Sequence, residues 1–268
     1  MNRIQLNAIL GKISTHCTCY RSLVITCSML FLSCSHYYYG PNSNNTPLLS
    51  KKEAKLNMQF ATADAFKAFE FQSAFAVSKH FGGMINFIAG GENDNDALFG
   101  SDGDKGSAKY IEVGAGYFRP LGQTPWIFET YGGIGTGVIK NNFGSQGRAN
   151  VTFSKLFIQP NLGVKVKGFE FGLSSRFSLV HHKLKYSTIP EEDQDLRNLL
   201  EHPNSFLWEP GMVMRAGGKN FLVQLQYTYS FNITNPDLVQ EPGIFNIGFC
   251  IPIHYTTSVP LTKTGGNL

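Results

Sequence analysis

Beyond about residue 53, apolar and polar residues alternate nearly one for one along most of the chain. In 221–231, FLVQLQYTYSF, Phe221, Val223, Leu225, Tyr227, Tyr229 and Phe231 share one parity, and Gln224, Gln226, Thr228 and Ser230 the other. In 169–179, FEFGLSSRFSL, Phe169, Phe171, Leu173, Phe177 and Leu179 stand against Glu170, Ser174, Arg176 and Ser178. A strand turns successive side chains to opposite faces, so each segment predicts an element with one apolar and one polar surface. The same reading predicts about ten strands, over 54–62, 67–79, 81–90, 108–118, 125–139, 150–166, 169–184, 205–217, 219–231 and 243–254. Most have 9 or more residues, enough for a tilted strand to cross a hydrocarbon layer. Strands of soluble domains run to about 5 or 6.

The links are a second, independent pattern. Lys79-His80, RPLGQT at 119–124, Lys167-Gly168 and Gly218-Lys219 are short and follow every second strand. Between them lie GENDNDALFGSDGDKGS, NNFGSQGRAN, STIPEEDQDLRNLLEHPN and NITNPDLVQEPG, with one short exception near 63–66. Outer-membrane barrels alternate short periplasmic turns with longer outer loops. The fold expected is therefore an all-β, antiparallel, up-and-down transmembrane β-barrel of about ten strands, with both barrel termini on the periplasmic side. Tyr117, Phe118, Trp126, Phe169 and Phe221 then form an inner aromatic girdle, and Tyr186, Phe206, Trp208, Tyr229 and Phe231 an outer one. A soluble β-sandwich, which would bury the same rings as core, is the alternative.

Composition agrees with a lipid-facing wall. Charged residues make up 16% of the 268 and aromatics 13%, against roughly 25% charged in ordinary soluble domains. The formal charge of +4 looks basic, yet Arg3, Lys12 and Arg21 precede residue 34 with no acid, and beyond them 20 basic residues face 19 acidic ones. No basic patch for nucleic acid survives that division.

The N-terminus changes the picture more. The apolar core SLVITCSMLFL, 22–32, follows basic residues and is too short for a spanning helix of about 20 residues, but it suits a signal peptide. The 21 residues ahead of it are long for a signal n-region, which predicts a true start downstream of Met1. Ser33-Cys34 resembles a lipobox, with Phe31 where Leu is usual and Leu32 where a small residue is commoner. Cys34 is thus the expected lipidation site, on the side where its acyl chains reach the inner leaflet; ordinary signal cleavage nearby is the alternative. The domain plan expected is a signal peptide at 1–33, a periplasmic N-terminal segment at 34–53, the barrel at 54–254 and a tail at 255–268. Four of five cysteines fall within the first 34 residues, leaving Cys250, and no pair has zinc-finger spacing.

YYYGPNSNNTPLL, KYIEVGAGYFRPLG, TFSKLFIQP and NFLVQLQYTYSFNITNPDL, with the signal ahead of them, resemble a family of uncharacterised outer-membrane β-barrel (lipo)proteins of Bacteroidetes-type bacteria. The likeness covers most of 34–254 and implies fold and location, but no activity.

Strand parity turns Glu70, Glu112, Glu129, Glu170 and Glu209 inward with Arg176 and Arg215, and also Lys55, Lys155 and Lys165. A ten-stranded barrel is only slightly wider than the eight-stranded kind that side chains fill, so a charge network plugging the lumen is expected. A narrow polar path for a solute is the alternative. Paired carboxylates also suit acid-base hydrolysis, but one Glu per strand is what any polar lumen produces. Outer-membrane lipid A deacylases carry a His two residues before a Ser, a spacing absent here; His181 and His182 beside Ser178 read as exposed rim residues. The acids Glu92, Asp94, Asp96, Asp102 and Asp104 lack EF-hand spacing. YGGIGTG, 131–137, lacks the third glycine and the helix of a nucleotide fingerprint, and its glycines suit close packing in a barrel wall. The link 191–201 is expected to form a helical turn or two. The function expected is structural or surface-binding, without catalysis, cofactor or metal, with outer-membrane lipid as the surroundings and no protein or small-molecule partner named. A narrow solute channel is the runner-up, and a lipid-modifying enzyme stands third.

Overall fold

The computed structural model describes residues 38–63, 66–93, 104–143, 147–190 and 192–255. The strands are β1 (Glu53–Ala63), β2 (Phe66–Ala76), β3 (Phe81–Asn93), β4 (Asp104–Pro120), β5 (Trp126–Phe143), β6 (Arg148–Val166), β7 (Phe169–Ser187), β8 (Asn204–Gly217), β9 (Leu222–Tyr229), β10 (Phe231–Asn232) and β11 (Gly243–His254). One helix, α1 (Gln194–Glu201), lies between β7 and β8. From β1 to β9 each strand pairs antiparallel with the one after it, β9 pairs with β11, and β11 returns to β1, with Glu53 opposite His254 and Thr62 opposite Phe245. β10 continues the register of β9 on β8, with Gly211 opposite Thr228 and Trp208 opposite Phe231. The two are one strand interrupted at Ser230, whose amide donates to the Pro242 carbonyl at 2.6 Å. The result is the closed ten-stranded barrel that the alternation predicted, and closure leaves no edge with unpaired backbone groups.

One end of the barrel carries the short links 77–80, 121–125, 167–168 and 218–221, together with the start of β1 and the end of β11. The other end carries the longer links, including α1. Asp193 caps α1, its carboxylate accepting from the Leu196 amide at 2.9 Å. Leu196 and Leu199 turn inward from that helix onto Tyr38, Ala149, Val151 and Leu238.

The two faces of the wall are opposite in character to those of a soluble sheet. Phe60, Ile134, Leu156, Ile158, Leu179 and Ile247 are exposed outside, while Glu112, Arg176, Glu209 and Arg215 are wholly buried inside. A wall that shows hydrocarbon outward and buries its charges is built for lipid as solvent. Among the girdle residues Trp126, Phe169 and Phe221 face outward at the short-turn end, and Tyr186, Trp208 and Phe231 at the other. Phe118 does not belong with them. It shares the parity of Glu112, is fully buried, and packs with Leu49, Ala76 and Met84 inside the barrel.

The larger departure concerns 34–53, expected as a periplasmic segment. The described part of it runs through the lumen. Tyr38 donates its amide to the Val239 carbonyl at 2.8 Å, and Tyr39 bridges Gln240 and accepts from the Glu241 amide at 2.9 Å, all in the link between β10 and β11. Eleven residues later Ser50 stands beside Glu53 and Lys165 at the short-turn end. Asn42 to Leu49 are all buried. A chain turn through Lys52, at φ 61°, then leads into β1. The lumen is consequently layered. An apolar layer around Tyr39 includes Ile88, Ile139, Phe153 and Val180, another around Leu49 includes Ala74, Met84 and Tyr131, and polar side chains fill the depth between them.

Candidate functional site

The polar layer is the candidate site. The seven residues expected in the lumen network all face it, and so do the three lysines. Strand parity aims them inward, and the barrel's curvature brings together partners distant in sequence. Lys55 meets both oxygens of Glu170 at 2.6 Å, and Arg215 meets one of them, Oε2, at 3.1 Å. Arg176 takes Glu112 with two nitrogens at 2.9 and 3.2 Å, the bidentate geometry that a guanidinium favours. Lys155 meets Glu209 at 2.8 Å, and Lys165, nearest the short-turn end, meets Glu53 at 2.6 Å.

Two of the expected carboxylates, Glu70 and Glu129, form no ion pair among the described residues; each instead holds the threaded segment by its backbone. Glu129 accepts from the consecutive amides of Leu48 at 3.1 Å and Leu49 at 2.7 Å. Leu48 is in the left-handed region at φ 49°, a conformation that points neighbouring amides to one side as a small anion-binding nest. The conformation costs about 1–3 kcal/mol in a non-glycine residue, which hydrogen bonds to a charged group, worth about 1.5–3 kcal/mol each, can offset. Glu70 accepts from the Ser43 amide at 3.1 Å, with Asn246 at 2.7 Å, Gln72 at 3.1 Å and Gln59 at 3.2 Å completing its shell.

The segment's carbonyls are met the same way. Gln72 donates to Ser43, Gln226 to Asn44, Gln159 to Asn45 at 2.8 Å and Arg215 to Thr46 at 3.0 Å. Asn44 in turn donates through its side chain to the Ser174 hydroxyl at 3.0 Å and to the Glu209 carbonyl at 2.7 Å. Irregular backbone at membrane depth persists only where such partners exist. Its contour is matched as well as its polarity: a Cβ on Gly172 would lie 2.9 Å from the Thr46 methyl, and one on Gly163 2.5 Å from a Leu48 methyl. The wall leaves room where the segment passes.

At the long-loop end, Tyr38 lies under α1. Burial holds its hydroxyl well above the ordinary phenol range, and the carboxylates of Asp193 and Asp195 add to the effect.

Among the described residues, Glu112, Glu170 and Glu209 are each engaged by a cation, and Glu70 and Glu129 by several hydrogen-bond donors. Ser178 and His181 are not brought together. Ser178 points inward and donates to Glu209 at 2.6 Å, while His181 is exposed outside and contacts Asn204 at 2.8 Å. His182, expected at an exposed rim, is buried inward against Tyr39, because adjacent strand residues face opposite sides. Of the YGGIGTG glycines, Gly135 faces the Tyr110 ring so closely that a Cβ would lie 2.3 Å from its hydroxyl oxygen. Among the described residues no three of His, Cys, Asp and Glu form a group fit for a metal ion, and Cys250 is a buried free thiol. The signal segment, Cys34, Asp94, Asp96 and Asp102, and the tail from 256 lie outside the described residues. The threaded segment is the part of the site that sequence reading missed; the signal available was its Asn-rich polarity, ending in the isolated apolar pair Leu48-Leu49.

These features define the class: a membrane-spanning β-barrel whose lumen is filled by its own N-terminal segment. No family model matches the sequence, and no curated protein does. Among solved structures it is similar to the KdgM porin, with 9% identity over 75% of this chain and 99% of that one, and a TM-score of 0.34. An outer membrane channel from Pseudomonas putida F1 is 10% identical over 79% of this chain and 100% of its own, with a TM-score of 0.37. The translocator domain of the autotransporter NalP from Neisseria meningitidis is 9% identical over 76% and 86%, at 0.36. Similarity this low carries no activity across; the fold assignment rests on this chain's own strand pairing.

Proposed function

We propose that the chain is an outer-membrane β-barrel of the bacterial cell envelope, freed of residues 1–33 and anchored through lipid on Cys34, with a structural or surface-binding role and a closed lumen. The observation that carries this reading is the filled interior: residues 42–49 occupy the lumen, with amides held by Glu70 and Glu129 and carbonyls met by wall side chains. A solute path would need the segment to give way, and between Ser43 and Leu49 it is held by wall side chains at both amides and carbonyls. Asn57 and the side-chain oxygens of Asn44 and Asn45 are polar groups left without a partner beside it among the described residues. Catalysis has no support in the lumen carboxylates or in the Ser178 and His181 pair. Outer-membrane lipid is the surrounding partner on this reading, nucleic acid is not, and the long-loop end is the face available to a protein or small molecule.

Purified protein in planar bilayers tests the closed lumen. No steady current is expected, and stepwise currents from the wild-type chain would replace this reading with the narrow solute channel. Heat-modifiable migration of the membrane fraction tests the barrel in its native setting. Incorporation of an alkyne fatty acid, lost in Cys34→Ser, tests the anchor.

A further inference from the structure

The direction in which the segment passes through the barrel has a topological consequence for everything ahead of it. Tyr38 and Tyr39 are fastened to 239–241, in a link at the long-loop end, and Tyr38 packs under Leu196 and Leu199 of α1 at that same end. Leu49 packs with Ala76, the last residue of β2, and Phe118, two residues before the end of β4, both at the short-turn end. The chain therefore descends from the long loops to the short turns before β1 carries it back up. The β1–β11 seam is paired from Glu53 to Thr62, so the segment has no sideways exit through the wall.

We infer that the polypeptide enters the barrel through its long-loop mouth, so that the arm leading into Tyr38 lies on the same face as the long loops. On the orientation proposed above, on which this step rests, that face is the cell exterior. Cys34 is four residues ahead of Tyr38, and a fully extended chain covers at most about 14 Å in four steps. That reach limits how far a lipid on Cys34 can lie from the mouth at Tyr38. The inner leaflet, the destination expected of a periplasmic N-terminal segment, is out of reach across the barrel's depth. The same chain thus enters at the loop mouth and, from Tyr39 to Leu49, serves as the plug behind that entry.

Single cysteines in the full-length chain test this, with wild type as background, since Cys250 is buried in the lumen. Ser35→Cys reports the arm, Glu201→Cys the exposed end of α1, and Gln123→Cys an exposed short turn. With a membrane-impermeant maleimide on intact cells, Ser35→Cys and Glu201→Cys are expected to label several-fold above wild type, and Gln123→Cys only after permeabilisation. If Ser35→Cys follows Gln123→Cys while Glu201→Cys labels from outside, the inference is overturned. Should Ser35→Cys and Glu201→Cys both be shielded and Gln123→Cys be open, the shared face stands and the outward orientation falls instead. An epitope inserted between Ser35 and His36, probed with antibody before and after permeabilisation, separates the same outcomes where the thiol itself is sterically blocked.

Discussion

The wall and the segment inside it solve one problem in two ways. Both place peptide groups where water is absent, and each unsatisfied group there would cost several kcal/mol. In the wall, backbone meets backbone, so the bonding of β4 to β5 does not depend on which side chains those strands carry. In the segment, backbone meets side chain, and the Leu48 and Leu49 amides depend on Glu129 being a carboxylate at that register position. The first arrangement tolerates substitution on its outer face; the second is specific to residue identity. Wall and segment ought therefore to respond differently to mutation, protease and pH.

The sharpest break is removal of 39–48. The wall's hydrogen bonds all survive, so the barrel should still insert and remain heat-modifiable, while planar bilayers, silent with wild type, should show stepwise currents. Next comes Arg176→Met, which leaves Glu112 buried without its cation and frees Asn42 of the segment. Breaking a buried pair in this way costs about 3–5 kcal/mol, read as a lower temperature for the shift in gel migration. Glu129→Gln should cost less, about 1.5–3 kcal/mol. Its signature is faster amide exchange at Leu48 and Leu49 with the strands still protected. Ile158→Val, on the lipid-facing surface, should stay within about 0.5 kcal/mol in the same migration assay. Smallest at neutral pH is Tyr38→Phe. The folded hydroxyl titrates above the unfolded phenol value of about 10, so its contribution is intact below about pH 10 and is lost as the pH rises beyond it. Wild type, but not the variant, should loosen at 38–39 in that range, seen as new protease cleavage.

The sequence was most legible where the physics is periodic. Lipid outside and packed polar groups inside force a two-residue alternation, and β9 can be read directly from Leu222, Gln224, Gln226 and Thr228 against Val223, Leu225, Tyr227 and Tyr229. The same parity turned Glu70, Arg176 and Glu209 inward. Phe118 shows the limit of aromatic character as a guide: a ring near a strand end suggests a headgroup boundary, yet parity placed it under Leu49. Partner choice within the lumen was not legible at all, since Lys55 finds Glu170 and Arg176 finds Glu112 across the barrel, far apart along the chain.

Alternation and link length, then, were enough by themselves to determine a closed ten-stranded wall and which residues it turns to oil. Only the tertiary structure decided that residues 38–50 fill the centre and in which direction they run. A stretch such as PNSNNTP has the composition of any solvated turn. Its polar groups become a plug only when three-dimensional closure sets carboxylates, glutamines and bare glycines around them at bonding distance.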